Sequence, residues 1–157
     1  MIESLSAIFR GFTSAAGTVK VLVELLQGRA GDEQALLEEI KENLGLCWMV
    51  KELDTDPMMI IPELATLEYD RLIKKGFDFN SLKQRRIRSS KKLEESELAF
   101  LIGRDTKFLI KNIYARIKDL KRIYRIDRAN PRIQWERRIT NLHVKMMLLM
   151  RHLRTRR

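Results

Sequence analysis

Apolar residues recur every three or four positions through almost the whole chain, and only three prolines, Pro57, Pro62 and Pro131, interrupt them. That spacing gathers each apolar set on one face of an α-helix, whereas a half-buried strand would alternate every second residue. Each proline removes a backbone donor and clashes with the preceding turn, which confines long helices to the stretches between them. The expected fold is all-α: an antiparallel bundle of about five helices, with a long fourth helix and a fifth at the C-terminus, in a single domain over residues 1–157. A chain of this length buries a core without disulfides or metal.

Ile2, Leu5, Phe9, Phe12, Ala16, Val19, Leu22 and Leu26 trace a first amphipathic helix over residues 2–26. After a turn at residues 28–31, Asp32 is the expected N-cap of a second helix that runs to about Leu53. Leu36, Ile40, Leu44, Cys47 and Val50 form its inner stripe, with Glu38, Glu39 and Glu42 outside. A third helix over about 59–75 stops at Gly76, since glycine readily takes the left-handed conformation that closes helices. Phe77 and Phe79 anchor the connection that follows. The fourth helix spans about 91–127, with Gly103 the place where it could be interrupted, and Asn130-Pro131 starts the fifth, proline being favoured at the first helical position. There Trp135, Ile139, Leu142, Met146, Leu149 and Leu153 form a bundle seam. Phe9, Leu22, Leu36, Ile40, Leu44, Ile113, Leu120, Trp135, Leu142 and Leu149 are the expected core.

Charge says more about partners than about fold. The chain carries a formal +10, unevenly: residues 1–70 hold 5 Lys/Arg against 13 Asp/Glu, and residues 71–157 hold 26 against 8. Either the two halves neutralise each other inside the fold or the basic half faces an external anion, and the excess of ten positives leaves some basic surface in both cases.

The strongest candidate for that surface is a stripe on the fourth helix. Arg104, Lys107, Lys111, Lys118, Lys121, Arg125 and Arg128 follow helical spacing, with Tyr114 in the gap, and Asp105, Asp119 and Asp127 fall outside their arc. Over about 36 Å of helix, such a row suits a tract of phosphates. The alternative is a solvated face paired with Glu38, Glu39 and Glu42. The run Lys83, Arg85, Arg86, Arg88, Lys91 and Lys92 and the tail Arg151–Arg157 add further cations. Nothing specifies bases, so the expected contact is with the backbone of RNA or DNA, in a non-enzymatic subunit of a nucleoprotein assembly.

Two other readings come from different residues. Arg138-Ile139-Thr140-Asn141-Leu142-His143 resembles the Arg-x4-His signature of HEPN ribonucleases, helical proteins that use this Arg and His on RNA. The resemblance covers six residues and implies Arg138 and His143 as a catalytic pair, although Ile139 stands where the family usually has a polar residue. Five residues apart, the two lie about 140° around one helix, and a shared site would need a second protomer or a bent helix; no enzyme activity is expected. The first helix, with its mild polar face, offers an effector of the cell-death-bundle type directed to an anionic membrane or to a protein partner, a second copy included.

Other chemistry is not expected. One cysteine, Cys47, and two histidines, His143 and His152, are too few for a structural zinc site, and the Glu38/Glu42 and Glu94/Glu97 spacings lack the histidines of di-iron bundles. No phosphate-binding glycine loop occurs, so neither metal nor cofactor is expected. The lone cysteine suggests a reducing, cytoplasmic setting. The longest uncharged run, Gly11–Val19, is too short to span a bilayer, and neither a secretory signal nor a membrane span is expected.

Overall fold

The computed structural model describes the backbone of residues 15–154 and the side chains of residues 20–154. The expectations placed on Phe9 and the rest of residues 1–14 lie outside them. The described residues form an all-α bundle with five helices of nine residues or more: α1 (Ala15–Leu26), α2 (Gly31–Leu53), α3 (Leu67–Lys75), α4 (Thr106–Asp127) and α5 (Trp135–Arg154). Short turns at Pro57–Ile60, Ile61–Glu63, Phe79–Leu82, Lys91–Glu94 and Ala99–Leu101 join them.

Helix α5 is the axis of the bundle. Every residue from Leu142 to Met150 is buried, polar ones included, because α1, α2 and α4 all pack against it. A helix enclosed on all sides is a core helix rather than one with a single seam. Of the expected core, Leu22, Leu36, Ile40, Leu44, Ile113, Leu120, Leu142 and Leu149 are buried, whereas Trp135, at the first turn of α5, is half-buried.

Two polar residues of α2 organise the chain after Pro62. Asn43 donates from Nδ2 to Ala65 O and accepts on Oδ1 from Ala65 N, both at 2.8 Å. Glu39, expected outside, is 5% exposed. Its carboxylate accepts from Glu68 N at 2.7 Å, Tyr69 N at 3.2 Å and the Tyr114 hydroxyl at 2.8 Å. The first turn of α3 has orphan backbone donors and no cap from Thr66, so a carboxylate borrowed from α2 serves it, where the helix dipole favours negative charge.

Several helix boundaries differ from the sequence expectation. The third helix is not continuous over 59–75: Pro62 allows only a short turn before α3 restarts at Leu67. It does end at Gly76, in the left-handed region at φ 74°. The fourth helix begins at Thr106, capped by the Asp105 side chain on Phe108 N at 2.8 Å, and residues 91–105 fold into short turns around Gly103 at φ 76°. The fifth begins at Trp135, because the Asn130 side chain caps Arg132 N in a separate turn. Asp32 is not the N-cap of α2, a position held by Ala30; it sits in the first turn and pairs with Arg71 at 3.0 Å and with Lys75. Among the described residues no helix is long and apolar enough to cross a membrane.

Candidate anion-binding face

On α5, Arg138, Asn141, Lys145, Leu148 and His152 recur at three- and four-residue spacing and share an arc of about 80°. This arc meets two basic pockets, one at each end. The first, of about 440 Å³, lies between the N-terminal half of α5, the middle of α4 and the turn before Leu101. Arg116, Arg132, Arg137, Arg138 and Lys145 line it together with the amides Asn112, Gln134 and Asn141, and Glu97 is its one carboxylate. Leu98 and Phe100 close one side.

Glu97 is engaged by Arg137 at 3.2 Å, and Arg137 also donates to Gln134 Oε1 at 3.4 Å. Arg116, Arg132 and Arg138 have no carboxylate within ion-pair distance among the described residues. The Lys145 ammonium is buried in the pocket floor, donates to Asn112 Oδ1 at 2.7 Å and lies 5.7 Å from the centre of the Phe100 ring. Burial, and then the charge of Arg116, push it down to about 8. Guanidinium forks and an ammonium lining one concave site are donors that phosphate oxygens can accept from.

The second pocket, of about 210 Å³, is lined by Lys83, Arg85, Arg86 and Arg88 of the basic run and by Arg151 and His152 of α5. The run is an extended strap. Buried Ile87 exchanges backbone hydrogen bonds with Arg104 O and Gly103 N, both at 2.9 Å, and Arg86 donates to Gly103 O at 2.9 Å. Lys83 is half-buried, and burial followed by the charges of Arg85, Arg88 and Arg29 lowers its pKa. Buried Leu98 lines the first pocket and buried Leu93 the second.

The stripe expected on the fourth helix is divided. Lys107, Lys111 and Arg125 are exposed on α4, but Arg104 precedes the helix and Arg128 follows its last turn. Tyr114, in the middle of the row, is completely buried, stacked on Tyr69 at 4.1 Å between centroids. Lys118 pairs with Asp70, and Lys121 donates to Pro62 O at 3.1 Å and to Leu64 O, so α3 and its approach engage the cations of this length of the row. The alternative, a row paired with Glu38, Glu39 and Glu42, is not what Glu38 and Glu39 do: Glu38 binds Lys41, and Glu39 binds Tyr114 and α3. Arg104 and Arg128 lie over Phe108 and Tyr124, at 4.8 and 5.8 Å.

Arg138 and His143 are separated. Arg138 lines the first pocket; His143 does not, lying buried on another side of α5 with no hydrogen-bond partner on Nδ1. Burial, then the charge of Lys51, push it down to about 4, which leaves the ring neutral near pH 7. His152 is likewise lowered to about 4 by burial and Lys83, and its Nε2 lies 2.9 Å from Thr106 Oγ1. Thr106 donates its hydroxyl proton to Lys83 O at 2.7 Å, which ties the strap to the start of α4. Among the described residues no group of three or more His, Cys, Asp or Glu is placed to hold a metal ion.

Sequence reasoning missed Arg116, Arg132, Arg137 and Lys145. Arg116 stands on the opposite shoulder of α4 from the stripe, about 160° from Lys118, and Lys145 is embedded in an apolar run. The available signal was the 138, 141, 145, 148 and 152 spacing, a second periodic set on the same helix as the apolar one. Comparison with protein families, curated proteins and solved structures finds no match for this chain.

Proposed function

We propose that this chain is a non-enzymatic module of the cytoplasm that binds the phosphate backbone of RNA or DNA along the α5 arc, within a larger nucleoprotein assembly. The observation that carries the reading is the first pocket: five cations against one carboxylate that Arg137 already neutralises. The second pocket extends the same charge, since Arg138 and His152 are fourteen residues apart on one helix, about 21 Å along its axis. That length covers about six phosphate steps along one strand of a duplex. Lys107, Lys111 and Arg125 on the other shoulder of α4 supply a weaker, outlying attraction.

The test is fluorescence anisotropy of a labelled 20-mer of mixed sequence. Arg132→Glu with Arg138→Glu should weaken binding at least about tenfold more than Lys107→Glu with Lys111→Glu, which changes net charge equally. Equal losses from both pairs would reduce the interaction to bulk charge and remove the arc from it. Strand binding that anionic lipid vesicles abolish at equal phosphate concentration, with direct vesicle binding in its place, would move the chain to the membrane-directed class.

A further inference from the structure

We infer that the first pocket holds a nucleoside monophosphate group, as the phosphorylated end of a strand or as a free nucleotide, with Phe100 stacking on the base. The inference rests on the proposed function and deepens it, from phosphates in general to a particular chemical end.

The arrangement of donors distinguishes an end from a backbone. A backbone is met by a row of cations, each reaching one singly charged diester. Here the cations come from three directions: Arg116 from α4, Arg132 from the connection between α4 and α5, and Arg138 and Lys145 from α5. They line one concave site whose volume, about 440 Å³, is in the range of small-ligand pockets. A phosphate monoester presents three free oxygens and up to two charges, against two oxygens and one charge in a diester, so it rewards several guanidinium forks at once more strongly than a backbone phosphate does. Lys145 is buried and tied to one neutral acceptor, so its ammonium has no counter-charge of its own and gains from a doubly charged ligand.

Phe100 supplies the second half of the argument. It is 48% exposed although it belongs to a turn whose neighbours Leu98 and Leu101 are buried, and it lines the pocket with the Lys145 ammonium 5.7 Å over one face of its ring, which leaves the other face for a base. An aromatic face next to a cluster of cations is the combination that nucleotide units use, base on ring and phosphate on cation. Asn112, Gln134 and Asn141 add amide donors and acceptors at the same site, able to meet a sugar hydroxyl or a base edge.

The experiment compares one 10-mer bearing a 5′-phosphate, a 3′-phosphate or hydroxyls at both ends, together with adenosine monophosphate and inorganic phosphate as competitors. The expected result is at least about fivefold tighter binding of one phosphorylated end over the hydroxyl strand. Phe100→Ala and Arg138→Gln should each abolish that preference, and Phe100→Tyr should keep it. Competition by adenosine monophosphate at concentrations where inorganic phosphate fails also supports the assignment; if the three strands then bind alike, the source is a free nucleotide. Equal binding of all three strands with no competition by the nucleotide overturns the inference and leaves backbone binding standing. Failure of every strand and of the nucleotide to bind overturns both.

Discussion

Removing the Tyr114 hydroxyl should destabilise this bundle more than a typical surface or core-conservative change, because the hydroxyl completes the shell of a buried carboxylate. In Tyr114→Phe the ring and its 4.1 Å stack on Tyr69 are retained, and only the 2.8 Å bond to Glu39 is lost. A hydrogen bond to a charged group is worth roughly 1.5–3 kcal/mol. For a domain of this size that corresponds to roughly 2–4 °C in Tm for each kcal/mol. Glu39→Ala should cost more, about 3 kcal/mol or above, since it strands Glu68 N, Tyr69 N and the Tyr114 hydroxyl together. In the double variant the hydroxyl no longer has a carboxylate to serve, so the two losses should fall short of additive by roughly 1–3 kcal/mol. Urea unfolding followed by circular dichroism measures all three variants. Additive losses, or a Tyr114→Phe cost near zero, would refute the assignment of Glu39 as the cap that α2 lends to α3.

Two pH predictions follow from buried bases. The folded chain holds His143 neutral with a pKa near 4, while the unfolded chain takes up a proton below the ordinary histidine value of 6.5. Stability is therefore lost as pH falls from about 6.5 towards 4, by roughly 3 kcal/mol from this group, and urea midpoints of His143→Leu should lose that part of the acid dependence. Anion affinity should run the other way in pH: the Lys145 ammonium loses its proton above about 8, so phosphate binding weakens as pH rises through that value, and Lys145→Met should be flat across it in anisotropy measurements.

Helix identity was largely legible because periodicity and glycine stops are local signals: the Leu36, Ile40 and Leu44 stripe, the end of α2 at Leu53, and the close of α3 at Gly76 all come directly from neighbours in sequence. The break at Pro62 was not, and of the late start of α4 only the interruption at Gly103 could be read. Residues 91–101 are rich in helix formers, but Leu93 and Leu98 are buried in the core and Ile87 is bonded to Gly103, so tertiary contacts override propensity there. The candidate site was legible only in part. Arg138 and the 83–88 run were picked out, each for reasons unconnected with the pockets they line. The stripe on α4 was read as one exposed row, yet α3 lies across its middle at Tyr114 and Lys118, a contact between residues 48 apart that no periodicity contains. Glu39 was read as a solvated acid for the same reason: its partners lie 29 to 75 residues away.

The most direct test of the α5 arc as a phosphate-binding face is the salt dependence of strand binding. On a duplex, the log–log slope of affinity against salt reports about −0.9 for each phosphate neutralised, and about −0.7 for each on a single strand. Arg132→Glu with Arg138→Glu should flatten that slope by roughly two contacts and weaken every sequence alike, while Lys107→Glu with Lys111→Glu should flatten it by less than one. A slope unchanged by the first pair, or flattened equally by both, would contradict the account.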